Sequence, residues 1–263
     1  MEKGLEQTKT SRIKINILDF HKRIAAGFLG NLVWVYSAMG QYDRALDYNQ
    51  QALAILRETK IRRVEAAQLT IRGGLYMDLG QNDRALEYYQ QALAINRDAK
   101  DCFVEGSLLS SLGWLHYRMG QNDRAREYYE QALAVHRAVC LQPFNRPFEL
   151  KNRGAEAGDL NGLGCIYMDL GQYDQAREYF QQAVAINRSL KTRANEGVNL
   201  NNLGILYRHL GQYDQARQAL EESEQKFRLI VENAGMGVGY YDVEGKLLYL
   251  NSTALKFMGG KLE

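Results

Sequence analysis

The chain has 263 residues, 46% of them hydrophobic, and its 33 basic and 31 acidic side chains leave a formal charge of +2. That length suits one large domain or two small ones with a real core, and the even charge excludes a bulk field steering the protein to nucleic acid or an anionic membrane. The longest apolar-looking stretch, Gly27 to Gly40, is interrupted by Asn31 and too short to span a bilayer, and the first eighteen residues lack a secretory apolar run. A cytoplasmic protein with no membrane contact is therefore expected.

One segment sets the frame for everything else. GQYDRA at Gly40 recurs as GQNDRA at Gly80 and Gly120 and as GQYDQA at Gly171 and Gly211, at spacings of 40, 40, 51 and 40. In chain order the frame predicts an N-terminal cap or eroded half-repeat over 1–19, in which Ile13 and Ile15 fall where a later helix has Leu53 and Ile55. Five repeats follow over 20–60, 61–100, 101–140, 152–191 and 192–230, with an inserted loop over 141–151. Within each repeat the glycine can adopt the left-handed conformation that closes a first helix, A. The aspartate three residues later lies in the first turn of a second helix, B, where its charge meets the positive end of the dipole.

The small residues predict the packing. In helix B alanines fall seven apart, as Ala45 and Ala52, Ala85 and Ala92, Ala125 and Ala132, Ala176 and Ala183, so each pair shares a face and admits a close neighbour. In helix A, Gly73, Gly113, Gly164 and Gly204 mark a matching close contact, each at a helix cost of about 1 kcal/mol. Tyr36, Tyr76, Tyr167 and Tyr207, with His116 in the third copy, fill the larger gaps; Tyr88 and Tyr128 are packing residues by the same period.

This pattern, Leu-Gly then Tyr in helix A and paired alanines in helix B, resembles the tetratricopeptide repeat over roughly Phe20 to Phe227. The usual proline closing helix B is replaced by Arg57, Arg97, Arg137, Arg188 and Arg228, and the period is 40 rather than roughly 34. Both features resemble the long-repeat branch of kinesin light chains and bacterial signalling proteins. The resemblance implies an all-α, right-handed solenoid of five helix pairs whose A helices line a concave groove that holds a protein or peptide.

In the interruption LQPFNRPFELK, Pro143 and Pro147 predict a loop, with Phe144 and Phe148 either tucked against adjacent helices or offered to a partner. Beyond the fifth repeat, MGVGYYD and KLLYLN alternate like strands around a turn near Glu244 and Gly245, with a helix from Asn251. From Phe227 to Gly260 the sequence resembles the opening of a PAS sensor domain, which places an incomplete PAS segment at 231–263. Its β-hairpin would have open edges, to which a second copy could add strands. A longer parent protein is expected, with the repeats as its input region. The alternative is the regulatory part of a histidine kinase or diguanylate cyclase whose catalytic module lies elsewhere.

No catalytic chemistry is legible. Cys102, Cys140 and Cys165 are too widely spaced for a zinc site, and His21, His116, His136 and His209 lack companions at ligand spacing, so neither a metal nor a cofactor is expected. The glycines belong to turns and helix contacts rather than to a phosphate loop. The resemblance instead implies groove-lining places at Asn31, Ser110, Ser111, Asn161, Asn201 and Asn202. Larger groups follow at Trp34, Met77, Trp114, Tyr117, Arg118, Arg208 and His209. An asparagine amide donates and accepts at once, so a row of them can read a peptide backbone without demanding one side chain.

Overall fold

The computed structural model describes residues 21–59, 61–99, 102–140, 146–241 and 247–257. The expected cap over 1–19, Phe144, and the turn near Glu244 and Gly245 lie outside these residues, as does the side chain of Phe148. The chain divides into two compact units, Met1–Gln142 and Pro143–Glu263.

The first unit holds three helix pairs: α1 (21–38) with α2 (Tyr42–Glu58), α3 (Arg62–Asp78) with α4 (Asn82–Ala99), and α5 (Cys102–Arg118) with α6 (Asn122–Cys140). The second holds α7 (Arg146–Asp169) with α8 (Tyr173–Leu190), α9 (Arg193–His209) with α10 (Tyr213–Glu232), strands β1 (Gly239–Tyr241) and β2 (Leu247–Leu250), and the short helix α11 (Ser252–Phe257).

Each pair closes by the same turn. Gly40, Gly80, Gly120, Gly171 and Gly211 all have φ between 68° and 73°. The glutamine that follows each one donates its backbone N–H to the carbonyl five residues back, as in Gln81 to Tyr76 at 2.8 Å and Gln172 to Tyr167 at 2.8 Å. Only glycine reaches that φ without a Cβ penalty, so the Gly-Gln dipeptide fixes both the stop of helix A and its capping bond. The aspartates Asp43, Asp83, Asp123, Asp174 and Asp214 then fall in the first turns of the B helices.

Within a pair, small meets large. A Cβ at Gly73 would come within 2.7 Å of the Tyr89 ring, at Gly113 within 3.0 Å of Tyr129, at Gly164 within 2.5 Å of Phe180 and at Gly204 within 2.7 Å of Leu220. The first pair solves the same problem with opposite sizes: Val33 stands at the glycine place and Asn49 at the ring place, both buried. One turn on, rings stack across the pair, Tyr36 on Tyr48, Tyr76 on Tyr88, His116 on Tyr128 and Tyr167 on Tyr179, with centroids 5.1–5.3 Å apart. The fifth pair has Ala219 opposite Tyr207. It also has Ser223 where the others have a second alanine, and that hydroxyl donates to the Gly197 carbonyl at 2.8 Å.

Successive pairs are tied by the arginines that replace the family's proline. Arg57 reaches Glu65 at 3.2 Å, Arg97 reaches Glu105 at 3.4 Å and Arg188 reaches Glu196 at 2.9 Å, each from a helix B to the helix A that follows. Glu196 is buried and also meets Lys226 at 3.3 Å. An arginine here does two jobs, since it lets helix B run to its end and supplies a fork for the next repeat's carboxylate.

The inserted loop is shorter than expected. Helix α7 begins at Arg146, so the last six residues assigned to the loop are its first turns. Pro147 is accommodated because the first turn of a helix has no hydrogen bond for a proline to remove. At the other end of this unit β1 and β2 pair antiparallel, Gly239 opposite Leu250 and Tyr240 opposite Tyr249. Asn251 is fully buried and joins this hairpin to α10. Its Oδ1 accepts from the backbone of Val238 and Ala254, and its Nδ2 donates to the Val231 and Met236 carbonyls, all at 2.8–2.9 Å.

Candidate functional site

In the second unit α7 and α9 lie side by side as A helices, with α8 packed against both, and this places four asparagines in one chain of amides. The Thr192 hydroxyl donates to Asn187 Oδ1 at 2.7 Å, and Asn187 Nδ2 donates to Asn199 Oδ1 at 2.7 Å. Asn199 Nδ2 donates in turn to Asn161 Oδ1 at 2.7 Å. Asn202 Nδ2 reaches the same Asn161 oxygen at 2.8 Å and touches Cys165 Sγ at 3.8 Å. Asn187 and Asn199 are buried and their bonds are spent within the chain; Asn161 and Asn202 are half-buried at its open end. Asn161 Oδ1 takes two donors, so the groups that make no bond within the chain are the Asn161 amide N–H, a donor, and the Asn202 carbonyl, an acceptor.

Asn161, Asn187 and Asn199 border an open cavity of about 180 Å³, lined also by Ala157, Gly158, Asn195 and Val198. Gly158 keeps it wide, since a Cβ there would meet nothing within 4 Å. Beneath Asn202, burial and then Asp169 push the Cys165 thiol up to about 11, so it is a neutral packing group rather than a nucleophile.

Of the residues singled out from sequence, Asn161 and Asn202 are brought into contact, and Asn201 sits half-buried beside them on α9. Arg208 and His209 are exposed at the far end of α9, six or seven residues from Asn202 and so about 9–10 Å along the axis. His209 stacks on Tyr173, the first residue of α8, at 5.9 Å.

In the first unit Trp114 and Tyr117 form a tilted ring pair at 5.7 Å, and the Arg118 guanidinium donates to the Met77 carbonyl at 3.2 Å. Together they make an aromatic and cationic group spanning α3 and α5. The serines there turn inward: Ser110 donates to the Gly106 carbonyl and Ser111 to that of Ser107, each one turn back, and Ser111 also hydrogen-bonds Tyr89. Asn31 and Trp34 are exposed on α1.

Asn187, Asn195 and Asn199 were not singled out from the sequence. The signal was there in the repeat alignment. The place of Asn187 holds Leu56, Asn96, His136 and Phe227 elsewhere, and that of Asn199 holds Gln68 and Leu108. Polar residues at buried inter-repeat places need partners, and here each supplies the other's.

Among the described residues no group of His, Cys, Asp or Glu could hold a metal ion, and no helix is long and apolar enough to cross a membrane. Profiles of the tetratricopeptide repeat match residues 64–138 and 157–228, and a second profile of that repeat matches 26–59. The chain belongs to the tetratricopeptide repeat family. Its fold is similar to that of BtubC (BKLC) from P. vanneervenii, with a TM-score of 0.68 at 20% identity over 85% of this chain and 90% of the other. It is also similar to a putative kinesin light chain from Podosopora anserina, with a TM-score of 0.58 at 23% identity over 78% and 94%. A third likeness is to PilF of Pseudomonas aeruginosa, with a TM-score of 0.58 at 18% identity over 78% of each chain. No curated protein sequence matches significantly. Tetratricopeptide repeat helix pairs typically form scaffolds for protein–protein interaction, and the chain carries that architecture in both units.

Proposed function

We propose that this tetratricopeptide repeat protein binds an extended peptide segment of a partner along its A helices, with Asn161, Asn201 and Asn202 holding the peptide backbone. Asn31, Trp34, Ser110, Trp114, Tyr117 and Arg118 offer aromatic and polar contacts in the first unit, and Arg208 adds a guanidinium and His209 an imidazole at the end of α9. The observation that carries this reading is that Asn199 and Asn202 both donate to Asn161 Oδ1, so that Asn161 Nδ2 and Asn202 Oδ1 make no bond within the amide chain. A peptide group presents the complementary pair, a carbonyl and an N–H, whatever its side chain.

Peptides selected from a random display library on the full chain provide the test. Replacing Asn161 and Asn202 by Ala together should weaken peptides of unrelated sequence by tenfold or more, because each lost hydrogen bond is worth about 1 kcal/mol and the two act on one peptide group. Unchanged affinity would place the site elsewhere. We further read residues 231–263 as the start of a PAS sensor domain and the chain as the cytoplasmic input region of a signalling protein. Sequencing the gene past the codon for Glu263 tests that reading: strands completing a PAS sheet and an output module support it, and a chain ending there removes it.

A further inference from the structure

Helix α1 carries an apolar stripe that no described residue covers. Ile24, Phe28, Leu32, Val35 and Met39 are spaced 4, 4, 3 and 4 apart, which places them on one helix face, and all are exposed, Phe28 at 66% and Met39 at 61%. In the first three repeats equivalent places are forty residues apart, so Phe28, Leu32 and Val35 correspond in α5 to Leu108, Leu112 and Leu115. Those three leucines are 0% exposed, in one core cluster with Tyr89, Ala92 and Leu93 of the preceding helix B, α4. The stripe of α1 is thus the face that a preceding helix B covers in the later repeats.

We propose that the N-terminal segment Met1–Phe20 folds back on α1 as that helix B and covers the stripe. Its length fits: twenty residues precede α1, and α2 with the turn that links it to α3 takes the same span, Tyr42 to Ile61. Its register fits as well. Ile13 falls at the place of Leu53, which is buried in the cluster shared with the next repeat. Asn16 falls at the inter-repeat place held by Leu56, Asn96 and Asn187. Where α2 and α3 are held by the ion pair of Arg57 and Glu65, the corresponding residues are Ile17 and Ala25, an apolar pair that can meet without a charge partner. Covalent attachment favours this occupant, because a tethered segment meets the stripe at high effective concentration whereas a second copy or another protein must be recruited.

The fold-back makes a geometric demand that a loose tail does not. The start of α2 lies beside the end of α3, with Tyr42 and Leu79 bordering one cavity and Leu46 packed on the same cluster as Leu79. By equivalence Glu6 lies beside Met39, while Ile24 is fifteen residues away along α1, about 22 Å. The test uses the full chain with Cys102, Cys140 and Cys165 replaced by Ala, and two cysteine pairs, Glu6→Cys with Met39→Cys and Glu6→Cys with Ile24→Cys. Rates of intramolecular linkage by a short bismaleimide are compared. A loose tail links the nearer pair faster, since shorter loops close more readily. The fold-back reverses the order, and the Glu6/Met39 pair should link at least tenfold faster than Glu6/Ile24. Equal rates, the opposite order, or products only between two chains would overturn the proposal, the last pointing to a second copy on the stripe.

Discussion

Alanine in place of glycine has opposite effects at two places on one helix. Both Gly158 and Gly164 lie in α7, and in a bare helix either substitution gains up to about 1 kcal/mol of propensity. At Gly158 the new methyl meets nothing within 4 Å, so the gain is realised and the chain should become about 0.5–1 kcal/mol more stable. At Gly164 the methyl would lie 2.5, 2.6 and 3.0 Å from three atoms of the Phe180 ring, against a comfortable separation of about 3.5–4.0 Å. Phe180 is fully buried and has no open space to retreat into, so the ring or the helix shifts by about 1 Å, an overpacking cost of about 1–3 kcal/mol. The net expectation for Gly164→Ala is no gain and a loss of up to about 2 kcal/mol. Urea unfolding followed by circular dichroism measures both variants, with Phe180→Ala made alone and in the Gly164→Ala background. Phe180→Ala alone should cost about 3–5 kcal/mol, and the double variant should be at least about 1 kcal/mol better than the sum of the singles. If Gly164→Ala raised the midpoint as Gly158→Ala does, the argument from close helix contact would be refuted.

Lys191 closes the B helix α8 in the left-handed conformation, at φ 58°, as the glycines do at the ends of the A helices; Lys191→Gly should stabilise by about 1 kcal/mol in the same urea assay. Glu196→Gln should cost about 1–2 kcal/mol because the carboxylate is buried between Arg188 and Lys226, whereas Arg188→Ala should cost less, its guanidinium being half in water. Burial and then Asp78 push the Tyr89 hydroxyl up to about 12, against an ordinary 10, although its hydrogen bond with Ser111 pulls the other way. Since the folded value is the higher, this tyrosine's contribution is complete below pH about 10 and is lost as pH rises toward 12, so absorbance at 295 nm should show one tyrosine ionising last and together with unfolding. Asn251→Ala removes four hydrogen bonds at the junction of α10 and the hairpin, and amide exchange at Val238 and across Leu247–Leu250 should accelerate at least tenfold while α9 is unchanged.

The sequence by itself determined the repeat, because its determinants are local. Glycine takes φ near 70° without a Cβ penalty, so each of the five Gly-Gln dipeptides closes its helix, and alanines seven apart mark one face of any helix. The small-against-large pairing was half legible: the glycines announced a close contact, but which ring fills it, Tyr89, Tyr129 or Phe180, follows from how helices A and B cross. The start of α7 is not legible in the sequence, because a proline reads as a breaker there and only its place in the first turn of the helix removes that objection.

The candidate site was the least legible. Asn161 and Asn202 read from sequence as a row of like residues, yet what distinguishes them is that the buried Asn199, itself held by Asn187, and Asn202 both donate to Asn161 Oδ1 and use up that side of its amide. An amide's remaining hydrogen-bonding capacity depends on which partners the tertiary structure brings within 3 Å of it. The sequence shows that an asparagine can donate and accept; only the packing of α7, α8 and α9 decides which of its atoms are left over for a ligand.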